Sequence, residues 1–227
     1  MMNGFFNDSS EFNRYTNLDG LEWRVINALV KSDSKHAKKL WKMLKYNTAD
    51  CISNSEDCPE LTTKEKYAMI DRDNADGSGK KVFMGPFLDD AWTEQSARLD
   101  VYVSDIDPTN HVISNIGVTV EIIVHNKINN IYGDADAENP ESNPSEIDNE
   151  GNVIISSKSR ATTMLKCLIA ELNGRFVDGV GVLQLNKTMS VKSSARSYVW
   201  NNRSYFGYAV TFFTSMGAPS SDSGYGW

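Results

Sequence analysis

Hydrophobic and polar residues alternate along two stretches near the middle of the chain, residues 98–104 and 118–124. Aliphatic side chains recur at every second position in both stretches: Leu99, Val101, Val103, Val118, Val120, Ile122 and Val124. Because strand side chains point to opposite faces with a period of two, both stretches are predicted as half-buried β-strands. Asp107-Pro108-Thr109-Asn110 is suited to a turn between them, since proline fixes φ and Asx side chains hydrogen-bond locally. We expect an antiparallel pair that forms the folding core and contains no obvious catalytic pattern.

Four other stretches have the apolar spacing or the capping residues of helices. Apolar residues at a period of 3.6 predict helices over residues 18–31 and 35–45, the second with Ser34 as its N-cap. A short helix is predicted over residues 61–70, with Thr62 or Thr63 as its N-cap. The clearest apolar stripe predicts a helix over residues 159–172, which Asn173-Gly174 ends.

Strands predicted over residues 153–155, 180–185 and 204–214 complete the pattern. This order of helices and strands predicts an α+β fold, a mainly antiparallel β-sheet flanked by helices. We expect a single domain over residues 1–227, with its core at about 18–214. Long loop insertions are predicted at about 46–81 and 127–157, and extended terminal arms at 1–17 and 215–227.

The net charge of −7 is concentrated in one segment. Seven acidic residues and no Lys or Arg lie between positions 131 and 150: Asp134, Asp136, Glu138, Glu141, Glu146, Asp148 and Glu150. The other 23 acidic residues balance the 23 Lys and Arg of the whole chain, so the body of the protein is close to neutral. This distribution argues against a nucleic-acid-binding surface, which needs clustered basic residues.

Lysines are predicted on the outer face or the flanks of the second helix, among them Lys38 and Lys42. Such a face usually does no more than solvate a helix. A sharper hypothesis is that Lys38 and Lys42 contact an acidic neighbour, such as the 131–150 segment of another copy. The Gly/Ser-rich tail 217–227, which ends in Trp227, has the composition of a flexible or docking terminus.

Catalytic and metal-binding patterns are weak along the chain. The stretch 71–77 lacks the calcium-loop spacing, because Ala75 stands where the fifth position needs an oxygen ligand. The odd set of three cysteines, with six residues between Cys51 and Cys58, fits neither a zinc knuckle nor a disulfide framework. We expect no cofactor and no metal, and no stretch is apolar enough to cross a membrane.

One enzymatic alternative stays open at this point. A small metal-dependent hydrolase would assemble its site from these residues: Asp89, Asp90, Glu94 and His125. No local Ser/His/Asp or Cys/His spacing supports it, and a triad is recognised only once it is assembled in space.

Seven blocks of sequence together resemble a known family. They are LEWRVINALV, AKKLWKMLKY, PFLDDAWTEQSARLDVYVSD, GVTVEIIVHNKI, RATTMLKCLIAELNG, FVDGVGVLQLN and SYFGYAVTFFT. Their order over roughly residues 18–214 resembles the tail-terminator and head–tail connector (neck, tail-completion) proteins of tailed bacteriophages. The segments 46–81 and 127–157 and the C-terminal extension depart from that pattern, which leaves ring size and position in the virion open.

The resemblance implies a non-enzymatic virion protein, assembled in the host cytoplasm, that forms a homo-oligomeric ring at the head–tail junction or tail end. Its implied partners are copies of itself, portal or connector proteins, and tail tube or sheath proteins. DNA would pass through the lumen without specific binding, and no membrane is involved. Another virion component, such as a baseplate or capsid accessory protein, is the nearest alternative.

Overall fold

The computed structural model describes residues 18, 20–72, 79–85, 95–108, 113–132, 146–147, 153–155, 157–185, 195–198 and 204–217. Within them the helices are α1 (Leu21–Lys31), α2 (Lys35–Lys45), α3 (Thr63–Ala68) and α4 (Arg160–Leu172), and a 3-10 turn spans Asn126–Ile128. The strands are β1 (Val82–Met84), β2 (Ala97–Pro108), β3 (Ile113–His125), β4 (Asn130–Tyr132), β5 (Glu146–Ile147), β6 (Val153–Ile155), β7 (Ser157–Ser159), β8 (Phe176–Val177), β9 (Gly181–Val182), β10 (Gln184–Leu185), β11 (Ala195–Tyr198) and β12 (Tyr205–Gly217).

The helix boundaries follow from their capping residues. Ser34 caps α2 by accepting a hydrogen bond from the Ala37 backbone N–H, and Thr62 caps α3 in a reciprocal capping box with Glu65. Both N-caps agree with the sequence prediction. The first helix begins three residues later than predicted, because Gly20 before it adopts a left-handed conformation with φ 76°.

Six strands of the described chain form the main sheet, in the order β1-β2-β3-β12-β10, with β11 also paired to β12. Only β1 runs parallel to its neighbour, and the other pairs in this sheet are antiparallel. β10 and β11 lie end to end along the edge of β12 that faces away from β3. The predicted α+β fold with a mainly antiparallel sheet is therefore confirmed.

The central strand pair has the predicted antiparallel register. Leu99 lies opposite Ile122, and Val101 lies opposite Val120, which places the aliphatic residues on one face. A β-bulge interrupts the register between Val103 and Asp105. The predicted turn begins too early, since pairing continues to Pro108 opposite Ser114, and residues 109–112 lie outside the described part.

One face of the main sheet packs against the helical layer. α1 and α2 lie against β2, while α4 crosses β3 and β12. The sheet contributes side chains that are at most 1% exposed: Leu99, Val101, Val118, Val120, Ile122, Val124, Val210 and Phe212. Each fully buried aliphatic or aromatic side chain stabilises the fold by about 1.5–3 kcal/mol, so this layer is the main core.

Two of the smaller predicted strands had different outcomes. Val153–Ile155 is confirmed as β6, which pairs with β5. The single strand predicted over residues 180–185 is wrong, because β9 pairs with β8 in a hairpin whereas β10 joins the main sheet. Gly181, the first residue of β9, has φ 100°, and the buried Leu183 lies between β9 and β10.

The described part of the predicted insertion 46–81 contributes to the core. Cys51, Cys58, Met69 and Ile70 are each at most 3% exposed and belong to the main hydrophobic cluster. Their loop folds back over α2, which changes the environment of the lysines on that helix.

Candidate interaction surfaces

The outer face of α2 has the expected basic character at most of its lysines. Lys35 and Lys45 are exposed, and the half-exposed Lys38 forms a 2.9 Å salt bridge with Glu60. This hydrogen bond raises the pKa of Lys38 and lowers the pKa of Glu60. Solvent screens an exposed pair of this kind, so the contact is weak and Lys38 remains accessible to another acidic partner.

Lys42 does not lie on this outer face, and its predicted exposure is wrong. It is 7% exposed and lies close to Glu60 and Cys51. Burial raises the pKa of the Cys51 thiol, and the Lys42 charge offsets only part of that rise. The loop that carries Glu60 and Cys51 covers the aliphatic stem of Lys42. Long lysine side chains bury their stems in this way while the ammonium group reaches polar surroundings.

Most of the predicted acidic contact residues lie outside the described residues: Asp134, Asp136, Glu138, Glu141, Asp148 and Glu150. The predicted docking residue Trp227 lies outside them too. Glu146 is placed in β5, opposite Ile155 of β6. A contact between the acidic segment and another copy therefore stays a prediction.

An aromatic groove lies between α1 and α3. The rings of Trp23 and Tyr67 stack with their centroids 5.9 Å apart and an angle of 30° between their planes. The Arg72 guanidinium lies 5.9 Å from the Trp23 ring centroid, within the range of a cation–π interaction. Thr63, Lys64 and Ala68 complete the lining of this cleft, whose volume is about 630 Å³.

The short helix α3 is held in place beside this groove. The Lys66 side chain is 4% exposed, and its ammonium donates to the Val30 carbonyl at 3.1 Å. Val30 lies in the last turn of α1, where carbonyls lack intrahelical partners and attract a cation. Burial lowers the pKa of Lys66, and the Tyr67 hydroxyl donates to Asn27 on α1.

Sequence reasoning did not single out Trp23, Tyr67 or Arg72 as interaction residues. A signal was present in α1, since its buried residues form a stripe that leaves Trp23 aside: Leu21, Val25, Ile26, Leu29 and Val30. A tryptophan outside an apolar stripe needs a second surface to cover it. The approach of Tyr67 and Arg72 depends on tertiary packing, which no local pattern reveals.

The second face of the main sheet carries buried polar groups rather than an apolar layer. Arg98 and Asp100 are at most 1% exposed and form a salt bridge, with Nε donating to Oδ1 at 2.9 Å. The Phe83 ring centroid lies 4.7 Å from the Arg98 guanidinium carbon. The Tyr102 hydroxyl donates to Glu121 at 2.6 Å on the same face. These contacts fix side chains across β1, β2 and β3.

His125 is the one described member of the hydrolase alternative. It is 8% exposed, its Nδ1 accepts a hydrogen bond from the Lys127 backbone N–H at 3.1 Å, and Tyr205 packs edge-on against its ring. Burial lowers the pKa of His125, with a smaller contribution from the Lys127 charge. Asp89, Asp90 and Glu94 lie outside the described residues, so the alternative stays untested.

Fold and surface together define an α+β protein whose helical layer presents an aromatic, basic groove to solvent. In the described ranges, no cluster of three or more His, Cys, Asp or Glu side chains is arranged to hold a metal ion. None of the helices described is both long enough and apolar enough to span a membrane.

The chain belongs to the YomW family, whose model matches residues 37–214, from within α2 to within β12. The family has a phage-type name from a Bacillus phage region, so membership indicates a phage-associated protein. No curated protein and no solved structure matched the chain.

Proposed function

We propose that this YomW-family protein is a non-enzymatic structural protein of the virion. In this proposal it forms a homo-oligomeric ring at the head–tail junction or the tail end. The ring joins portal or connector proteins to tail tube or sheath proteins, and DNA passes through its lumen without specific binding. The phage association of the YomW family supports a role in the virion. The resemblance of the element order to tail-terminator and head–tail connector proteins supports a position at the head–tail junction or the tail end.

The observation that carries the proposal is a basic helical face in the same chain as a strongly acidic stretch of sequence. Basic side chains lie on the helical layer, at Lys35, Lys38 and Lys45 of α2. The acidic segment follows β4, which pairs with β7 next to the first residue of α4. Unlike surfaces on one protomer make heterologous head-to-tail contacts, and such contacts generate a ring when the rotation closes.

The charge of the remaining body supports close packing of copies. The acidic residues outside positions 131–150 equal the Lys and Arg in number, so neighbouring bodies carry little like-charge repulsion. The main sheet and its helical layer form one hydrophobic cluster that extends from α1 to β12. A rigid body of this kind can fix the rotation between copies, which a closed ring requires.

Native mass spectrometry and negative-stain electron microscopy of the purified chain test the proposal. We expect a closed oligomer of one defined size, alone or when the other head–tail proteins of the same phage are added. A chain that stays strictly monomeric and binds none of those proteins would contradict the proposal. A closed oligomer that binds capsid or baseplate proteins instead would favour another virion position.

A further inference from the structure

We infer that the groove between α1 and α3 binds residues 134–145 of a neighbouring copy. This inference deepens the proposed function and rests on it, because it names the contact that joins one protomer to the next. The groove is defined by Trp23, Tyr67, Lys64 and Arg72, and its ligand is an acidic peptide that contains proline.

The groove combines an aromatic floor with a cationic rim. Trp23 and Tyr67 are stacked and both are half-buried, so part of each ring is exposed in the groove. Lys64 and Arg72 are exposed beside them. Grooves lined by aromatic rings bind proline-containing segments in the polyproline II conformation, because proline rings lie flat on aromatic faces. Cations at the rim select a peptide with acidic residues near its prolines.

Two acidic residues near the groove, Glu65 and Glu22, have other partners, while the buried Oδ1 of Asp71, next to Arg72, has no hydrogen-bond partner among the described residues. Glu65 accepts hydrogen bonds from the backbone N–H and the hydroxyl of Thr62, at 2.9 and 2.7 Å. Glu22 on α1 accepts a hydrogen bond from the Val103 backbone N–H at 3.3 Å. Their carboxylates are directed to these partners, so Lys64 and Arg72 give the rim its charge.

Residues 134–145, DADAENPESNPS, have the complementary composition. They contain four acidic residues, no Lys or Arg, and two prolines at positions 140 and 144. Glu138 and Glu141 stand on either side of Pro140. The segment has no large apolar side chain with which to build a core of its own, so an external groove is the surface that can order it.

The position of the segment favours a neighbour's groove over its own. The segment follows β4, at the end of α4 that begins with Arg160, where the Arg160 backbone N–H donates to Asn129. α1 is tied to the opposite end, since Arg24 donates to Gly179 in the hairpin that follows α4. The ends of the 13-residue helix α4 lie about 18 Å apart, at 1.5 Å per residue.

The length of the segment sets how far it reaches. Residues 133–145 connect β4 to β5, and a loop of that length extends at most about 20 Å from its base. A copy would have to straighten its segment almost fully to reach its own groove, which costs conformational entropy. A head-to-tail neighbour places the base of its segment beside the groove, so the loop binds there without full extension.

Peptide binding to the full chain is the first test. We use a synthetic peptide of residues 134–145 and a matched peptide with Pro140 and Pro144 replaced by alanine, measured by isothermal titration calorimetry. Arg72→Glu and Lys64→Glu should each weaken binding of the first peptide about fivefold or more, since each removes an attraction and adds a repulsion. The alanine peptide should bind more weakly than the native one, and binding of both should fall as salt is raised.

Matched controls separate the groove from general charge and aromatic effects. Lys166→Glu reverses an exposed charge on α4, and Phe176→Ala removes an exposed aromatic ring from β8, so neither should change peptide affinity. Trp23→Ala should abolish binding, and its melting temperature is compared with that of Phe176→Ala. Since Trp23 also packs on the core, Arg72→Glu decides the result if Trp23→Ala does not fold.

Mixing two assembly variants tests whether the contact joins different copies. One variant carries Lys64→Glu together with Arg72→Glu and accepts the segment too weakly to assemble. The other has Asp134, Asp136, Glu138 and Glu141 replaced by Asn or Gln and is too weak a donor of the segment. We expect each variant alone to be monomeric and their mixture to give a one-to-one dimer. A head-to-tail chain with one intact contact stops at two subunits.

The outcomes distinguish this inference from the proposed function. Rings formed by both variants as readily as by the wild-type chain would overturn the inference and leave the ring proposal standing. A dimer in the mixture, with open filaments of the wild-type chain, would support the inference and contradict the ring. A wild-type chain that stays monomeric and binds none of the other head–tail proteins overturns both. A groove that prefers single-stranded DNA to the peptide overturns the inference alone.

Discussion

Arg160 is the first residue of α4, is fully buried and donates hydrogen bonds to four main-chain carbonyls. Its Nε donates to Ile128 at 2.8 Å, Nη1 to Met43 at 2.7 Å and Tyr46 at 2.5 Å, and Nη2 to Thr48 at 2.8 Å. Two of these carbonyls lie in the last turn of α2 or directly after it, where intrahelical partners are absent. One guanidinium therefore joins α2, α4 and the 3-10 turn.

Arg160→Met removes these bonds while it retains most of the aliphatic volume. A hydrogen bond to a charged group contributes about 1.5–3 kcal/mol, so four bonds have an upper limit of about 6–12 kcal/mol. Burial of the guanidinium opposes this, and it lowers the pKa of Arg160. We expect a net loss of about 3–5 kcal/mol, because buried carbonyls left without a donor cost about 1–3 kcal/mol each while the desolvation of the guanidinium is relieved.

Urea denaturation followed by circular dichroism measures that loss as a change in the free energy of unfolding. Lys166→Met on the same helix is the matched control, because Lys166 is exposed and should change stability by less than about 0.5 kcal/mol. Arg160→Lys should lie between the two variants, since one ammonium cannot reproduce the planar donor geometry. A loss below about 1 kcal/mol for Arg160→Met would refute the reasoning, because the carbonyls would then have found other partners.

Three further predictions concern other buried groups. Gly207→Ala should lower the free energy of unfolding, measured by urea denaturation, by at least about 3 kcal/mol, because the new Cβ would lie 1.7 Å from the Ile122 carbonyl oxygen. An unchanged free energy of unfolding would contradict this close approach. Burial lowers the pKa of His125, so the unfolded chain binds a proton on this imidazole more tightly than the folded chain does. The free energy of unfolding should therefore fall as the pH drops below about 6.5. An NMR titration of the His125 imidazole with its midpoint above that value would contradict the lowered pKa. All three cysteines are buried, and burial raises the pKa of Cys51 and raises that of Cys167 to about 11. The buried thiols should therefore react with a disulfide reagent only after urea is added, and rapid reaction of the native protein would contradict their burial.

Elements that depend on local signals could be predicted from the sequence. Ser34 and the apolar spacing after it determine α2, and the capping pair of Thr62 and Glu65 determines the start of α3. The alternation around Val101 and Val120 predicted the central antiparallel pair, because register follows from which face is buried. The candidate ligand of the groove is also visible in the sequence, as an acidic segment with two prolines.

Buried charged residues could not be predicted in the same way. Lysine and arginine are almost never fully buried unless they are paired, so a sequence pattern places them at the surface by default. Lys42, Lys66 and Arg160 are each at most 7% exposed. Lys66 bonds to a carbonyl 36 positions away, and Arg160 bonds to carbonyls more than 110 positions away. Such partners exist only after the chain has folded.

The strand predicted over residues 180–185 shows a different limit. Four of its six residues are apolar, which favoured one strand, yet the backbone turns at Gly179 and Gly181, which both have positive φ. The Arg24 side chain leaves no room for a Cβ at Gly179, and the Thr214 hydroxyl leaves none at Gly181. Contacts with two distant elements thus decide the bend, so hydrophobic periodicity alone cannot locate it.

The buried Lys66 contributes both to the stability of the fold and to the geometry of the proposed groove. α3 has only six residues, too few for a stable isolated helix, so its position depends on tertiary contacts. Lys66 on its inner side bonds to the end of α1, and Tyr67, the next residue, stacks on Trp23 of the same helix. The spacing of the two rings is therefore set by a contact that is inaccessible to ligand. A groove ordered before binding lowers the entropic cost of association, which favours binding of a segment that has no core of its own.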